Sequence, residues 1–318
     1  MNHSESGRFP DFFLVGAPRC GTTALSVYLT RNPQVCFARP KEPHYFAKTG
    51  YIPGADELKR DYLDRYFGHC AAQHRALGEG SVSYLYAPGV IERILHFNPK
   101  AKFIVQLRNP LKMLPSYHLR MRFLLQEDET DFGAAWELEA ARKRGENIPK
   151  HCLEPRLLNY SDVAKYGAQI EQLFKVAGRE QTHVIVFDDF VNDTLGVYRR
   201  VLKFLDIDYD GQTDFERRFG SHMYRYLWLQ QLLFVPATSD GKIVESLQRR
   251  TRKYNKDGSK KQGFIKRIMK LNKITRPPDP LAPRMEEIVA EALRPDIQHL
   301  SRLLDRDLSH WIDLPRSK

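Results

Sequence analysis

Three groups of side chains carry the chemistry this sequence can do. The first is the run Gly16-Ala17-Pro18-Arg19-Cys20-Gly21-Thr22-Thr23. Phe12 to Val15, four apolar residues before it, read as a buried parallel strand, and Thr22 to Leu29 opens an amphipathic helix. Strand, glycine-bracketed turn and helix together make a phosphate-binding loop, in which turn N–H groups and the helix N-terminus face one anion. The nucleoside-triphosphatase form of that loop is G-x-x-x-x-G-K-[ST]. Gly16, Gly21 and Thr23 fill its glycine and hydroxyl positions, but Thr22 stands in the lysine position and the positive charge lies at Arg19. Such a loop binds phosphate with its cation on a different side of the anion. A tight turn that merely needs two glycines is the plainer reading of the same residues.

The second group is Arg108-Asn109-Pro110 with Ser116. Residues 102–107 are a strong strand signal, Asn109 is placed to cap a helix and Pro110 to start it. A magnesium-dependent phosphate-loop enzyme wants an aspartate at such a strand end to hold the metal. This chain has a guanidinium there, suited to bidentate capture of a phosphate, and Ser116 adds a hydroxyl two turns into the helix. Two anion sites and no evident metal site point to a nucleotide with phosphates at both ends.

The third group is Arg39-Pro40-Lys41-Glu42-Pro43-His44-Tyr45-Phe46. Glu42 and His44 share a face if the segment is extended, and either can take a proton. An ordinary carboxylate is a weak base at neutral pH, whereas imidazole titrates nearer neutrality. Glu42 equally suits an ion pair with Lys41 or Arg39, and His44 suits packing beside Tyr45 and Phe46.

These groups need strands to hold them. Candidate strands lie at 34–38, 75–80, 102–107 and 183–187, alternating with helical patterns at 58–67, 87–97, from 110 toward 125, and at 136–144, 162–177 and 194–205. That alternation predicts an α/β fold with a doubly wound, mostly parallel sheet flanked by helices. Ligands of such sheets bind beyond the carboxyl ends of the strands, where all three groups fall together with residues 79–83. The last part of the chain reads as a helical and basic C-terminal region, with a linker turn at Pro277-Pro278-Asp279-Pro280 and a helix at 286–308.

The net charge of +11 is local, because thirteen Lys/Arg against two acids lie between Lys242 and Arg276 and the rest is balanced. That segment could meet an anionic surface or polyanion, or be a solvated insertion. Only Tyr254 and Phe264 interrupt its charges, which is unlike a single-strand nucleic-acid binder, so nucleic acid is not an expected partner. No apolar run reaches the roughly 18 residues of a membrane span, and the polar start is unlike a signal peptide. Cys20, Cys36, Cys70 and Cys152 are scattered without a C-x-x-C pair, which suggests four unbridged thiols in a reducing, cytoplasmic protein.

Gly16 to Leu25 resembles the 5′-phosphosulfate loop of sulfotransferases that use 3′-phosphoadenosine 5′-phosphosulfate (PAPS). Arg108-Asn109-Pro110 with Ser116-Tyr117 resembles their 3′-phosphate motif. Lys41 to Phe46 is similar to a segment of the bacterial members and to the glutamate-bearing segment of heparan-sulfate-type enzymes. The resemblance covers roughly residues 10–210, with Leu308 to Trp311 like a common ending of the bacterial group. It implies one phosphate-loop-type domain over 1–318, its core at about 10–210 and its basic loop and helices at about 211–318.

It also implies roles. Arg19, Cys20, Gly21, Thr22 and Thr23 would cradle the 5′-phosphosulfate, with Arg19 on the leaving phosphate. Arg108 and Ser116 would hold the 3′-phosphate, and Arg225 or the cluster 249–253 would complete that site. Glu42 would be the base, with His44 next in line, and no metal is expected. The acceptor would be a hydroxyl, less readily an amine, on a glycan, lipid or small metabolite, anionic or polymeric ones included. One departure is clear: the heparan-sulfate-type enzymes have Glu-Lys at the third strand end, where this chain has Glu79-Gly80. Ser81, Ser83 or a lysine from elsewhere would have to compensate. The competing readings are a phosphate-loop kinase or nucleotide hydrolase, and a non-catalytic basic adaptor that touches anionic surfaces.

Overall fold

The computed structural model describes residues 8–216, 220–226, 229 and 271–314. The chain divides into two compact units, one comprising Met1–Met113, Ala164–Phe219 and Glu286–Lys318, the other Leu114–Val163 and Gly220–Met285. Among the described residues no helix is long and apolar enough to cross a membrane.

The first unit is built on a five-stranded sheet: β1 (Phe12–Gly16), β2 (Val35–Phe37), β3 (Ala76–Glu79), β4 (Lys102–Leu107) and β5 (Thr182–Val186), in the order β2-β3-β1-β4-β5 with every pairing parallel. All five residues of β1 are buried, as its unbroken apolar run requires of a central strand. Alternate side chains divide between the faces. Phe12, Leu14, Ile104 and Ile185 pack with Leu25, Tyr28 and Leu29 of α1 (Thr22–Arg31) and with Val197, Val201 and Leu202 of the helix Thr194–Phe204. Each such buried side chain contributes about 1.5–3 kcal/mol. Phe13 instead stacks on Phe103, with ring centroids 6.1 Å apart, and Phe9 bridges Phe13 to Phe97 of the helix Val90–Phe97.

This order puts a topological switch at β1. The chain goes one way from β1 to β3 and β2, and the other way to β4 and β5. The turn after β1 and Arg108 after β4 therefore emerge side by side. The Ala17 N–H donates to the Gln106 carbonyl at 2.7 Å, so the turn starts anchored on β4.

Where the helices differ from the sequence pattern, a local contact explains it. The expected helix at 162–177 is two, Tyr160–Ala164 and Tyr166–Ala177. The Asp296 carboxylate accepts the N–H groups of Gly167 at 2.7 Å and Ala168 at 3.0 Å, which starts a new helix at that point. The expected helix at 58–67 carries a π turn, Lys59–Leu63, between Ala55–Leu58 and Asp64–Phe67. The expected helix at 286–308 is Pro283–Leu304, followed by a short 3-10 turn at Ser309–Trp311.

The expectation of four free thiols is wrong. Cys36 on β2 and Cys70, just past the turn that follows Phe67, form a disulfide with their Cα atoms 5.8 Å apart. Their separation of 34 residues hid this, because nothing local in the sequence predicts that those two segments meet. The compartment argument drawn from unpaired cysteines falls with it. His69 lies against the bridge, its Nε2 3.5 Å from the Cys36 sulfur, and with both sulfurs in the bridge this cluster has no thiolate to offer a metal. Cys20 and Cys152 are free.

The second unit has a two-stranded antiparallel ribbon, β6 (His222–Tyr224) with β7 (Lys273–Thr275). Its inner staple is a buried ion pair, in which Arg142 donates to both Glu127 oxygens at 2.7 and 2.8 Å and the Tyr160 hydroxyl adds a third bond. Most of the basic segment, 242–270, lies outside the described residues, and so does the cluster 249–253.

Candidate active site

Two residues of the β1–α1 turn have positive φ, Arg19 at 62° and Gly21 at 92°. The left-handed conformation costs a non-glycine residue of order 1–3 kcal/mol and concentrates at functional sites. Gly21 is required for space as well, since a Cβ there would lie 2.8 Å from the Phe187 ring. Gly21 gives α1 no side-chain cap and no acid stands in its first turn, a helix start suited to an anion. Beneath the turn lies Gln106, fully buried, whose two side-chain polar atoms meet no partner among the described residues. The Cys20 thiol takes no part: burial pushes it up to about 12, and it donates to the Pro18 carbonyl beside Tyr166. Only the backbone of Cys20 can serve a ligand.

Arg108 follows β4 as expected. Its guanidinium stacks over Phe187, 4.9 Å from the ring centroid, and Nη1 donates to the Arg19 carbonyl at 3.4 Å. One aromatic ring thus supports both Gly21 and Arg108.

Lys41, Glu42 and His44 approach the turn from the β2 side. The Lys41 ammonium reaches the Glu42 carboxylate at 2.7 Å, the Gly80 carbonyl at 3.1 Å and the Thr22 hydroxyl at 3.5 Å. His44 Nε2 is 3.6 Å from Glu42 and Nδ1 is 2.6 Å from the Ser83 hydroxyl. Its backbone, at φ 53°, donates to Ser81 at 2.9 Å. Burial alone would push the Glu42 carboxyl up. The hydrogen bond from His44 and the charge and hydrogen bond of Lys41 outweigh that and hold it at about 2.

Behind them sits Glu79, fully buried at the end of β3. Burial pushes its carboxyl up to about 7, against hydrogen bonds from Ser81, Tyr62 and Tyr84. Ser81 and Ser83 therefore hold His44 and Glu79 in place; it is Lys41 that occupies the space above Gly80.

The first unit thus gathers Arg19, Cys20, Gly21, Thr22, Thr23, Glu42, His44 and Arg108. Ser116 and Arg225 belong to the second unit. The Ser116 hydroxyl, on the helix Pro110–Phe123, is 3.4 Å from that of Ser221, and the exposed Arg225 donates its backbone N–H to the Asn272 carbonyl at 2.7 Å. Sequence reasoning missed Lys41, Gln106 and Phe187 as parts of the site. The only signal for Lys41 was its adjacency to Glu42, and the other two looked like ordinary sheet residues.

A family model described as a sulfotransferase domain matches residues 9–261. The chain belongs to the sulfotransferase-domain family. Among solved structures it is similar to a sulfotransferase from Alicyclobacillus acidocaldarius, 27% identical with a TM-score of 0.63, covering 96% of this chain and 99% of that one. Among curated proteins it is similar to carbohydrate sulfotransferase 15 of Mus musculus, 24% identical over 262 residues, 65% of this chain and 46% of that protein. A third relative is the bifunctional heparan sulfate N-deacetylase/N-sulfotransferase 3 of Mus musculus, 26% identical over 152 residues, 43% of this chain and 17% of that protein. The chain spans about half the length of the first of these curated relatives. The parallel sheet with its phosphate-type loop after β1 is the architecture this sulfotransferase family shares.

Proposed function

We propose that this chain transfers a sulfuryl group from PAPS to a hydroxyl of a carbohydrate acceptor. The observation that carries the reading is that Lys41 joins Glu42 to Thr22, placing a carboxylate beside an anion-binding turn. The carbohydrate class is supported by the names of the curated relatives, and lipids or small metabolites are the alternatives an acceptor panel separates.

The residues fit the donor. A buried amide under the turn with no partner among the described residues, a glycine where any side chain would be strained and an uncapped helix start suit a bound anion. When bound, PAPS supplies a sulfuryl group already activated on its 5′-phosphate. The backbone of 19–23 and the Thr22 and Thr23 hydroxyls hold that end, and Arg19 balances charge developing on the leaving phosphate. Arg108 holds the 3′-phosphate. Glu42 receives the acceptor's proton on a carboxylate oxygen, and His44, fixed through Ser83 and Ser81, orients that carboxylate. Catalysis of this kind rests on positioning and electrostatics.

The test is thermal unfolding with adenosine 3′,5′-bisphosphate against ATP plus magnesium. A ligand that binds only the folded state at a hundred times its dissociation constant stabilises it by about 2.7 kcal/mol. The expected result is a shift with the bisphosphate, abolished in Arg108→Ala. A shift with ATP and magnesium alone would overturn the reading in favour of a kinase or hydrolase.

A further inference from the structure

We infer that Lys41 is a catalytic residue, whose ammonium binds the sulfuryl group as it passes between donor and acceptor. The inference rests on the proposed function. Thr22 occupies the lysine position of the phosphate loop, so the turn has no lysine of its own. Lys41 brings an ammonium there from the end of β2, across Gly80. Its Nζ lies 3.5 Å from the Thr22 hydroxyl and 3.1 Å from the Gly80 carbonyl.

Gly80 makes this possible. A Cβ at residue 80 would lie 2.9 Å from Lys41 Cε and 3.1 Å from the Phe37 ring, so any side chain there takes the path the lysine uses. The backbone adds register, because the Gly80 N–H donates to the Lys41 carbonyl at 3.1 Å. The lysine side chain is 19% exposed, so its charge acts in a partly desolvated place where it is stronger than in water.

The position also selects the atoms it serves. Thr22 belongs to the donor's turn and Glu42 is the group that takes the acceptor's proton. An ammonium held between the two would flank the sulfuryl group while the S–O bond to the donor phosphate breaks and the S–O bond to the acceptor forms. There it balances charge on the sulfuryl oxygens. Arg19 is left to the phosphate that departs with the bonding electron pair.

The experiment compares equilibrium binding of PAPS and of adenosine 3′,5′-bisphosphate, which lacks the sulfuryl group, without acceptor. In Lys41→Met the bisphosphate should bind within about twofold of wild type while PAPS binds on the order of tenfold or more weakly, the scale of a hydrogen bond to a charged group. Lys41→Gln, which keeps a donor but no charge, should behave the same way if Lys41→Met folds poorly. The double variant Lys41→Met/Gly80→Lys should regain the preference for PAPS. Equal weakening of both nucleotides, or an unchanged preference, overturns the role of Lys41. A wild type that binds neither nucleotide sinks the donor assignment itself, and this inference with it.

Discussion

Glu42 and Glu79 are the two acids of the site, and their surroundings push them opposite ways. Glu42, held at about 2 against an ordinary 4.5, adds stability at pH above 4.5 that is lost as pH falls toward 2. Glu79, raised to about 7, adds stability below 4.5 that is lost as pH rises through 7. A carboxyl held that low is ionised at every pH near neutrality, so turnover that uses Glu42 as base should be flat from pH 8 down to pH 5. Glu42→Gln should lower the rate on the order of 10²–10⁴-fold and leave bisphosphate binding intact. A Glu42→Gln variant at full rate would move the base to His44, whereas a wild-type rate that changes through neutrality with Glu42→Gln still slow would report the titration of Glu79. The pairing of Glu42 with Lys41 was legible from adjacency in the sequence. The split between the two acids was not, because it depends on Tyr62 and Tyr84 closing over Glu79 and on Ser83 turning His44 toward Glu42.

At the scale of elements, the β1–α1 turn was the most legible part of the molecule. A central parallel strand, two glycines at fixed spacing and a helix start are each visible in twelve residues. What the turn rests on was not visible, since Phe187 arrives from beyond β5. That ring fixes a prediction. Gly21→Ala combines a φ of 92° with a Cβ 2.8 Å from Phe187, and the ring cannot retreat without disturbing Arg108 stacked on it. The variant should lose about 1–3 kcal/mol of stability in urea unfolding, and its thermal shift with the bisphosphate should vanish. A Gly21→Ala protein that binds the bisphosphate like wild type would mean that the turn does not hold the nucleotide. The restart of the helix at Tyr166 and the Cys36–Cys70 bridge escaped the sequence for the same reason as Phe187. Each is decided by a partner far along the chain, Asp296 in the first case and a residue 34 positions away in the second.

For the molecule as a whole, the charge is the informative quantity. The excess of positive charge lies in 242–276, so its field is concentrated on one stretch of chain. Fields of this kind raise the encounter rate with anionic polymers and fade as salt shortens the screening length from about 10 Å at 0.1 M to about 3 Å at 1 M. If the carbohydrate acceptor is a polyanion, this segment is what attracts it, and heparin is a suitable probe. A variant with Lys260→Gln, Lys261→Gln, Lys266→Gln and Arg267→Gln should bind heparin on the order of tenfold more weakly at 0.05 M salt. The difference should close near 1 M, where the charges are screened in both proteins. Binding of the bisphosphate should stay unchanged, because the residues assigned to its 5′ end and Arg108 lie elsewhere in the chain. Equal heparin affinity at every salt concentration would reduce the segment to a solvated stretch and shift the search toward neutral acceptors. An equal loss for heparin and the bisphosphate would instead place these basic residues in the nucleotide site.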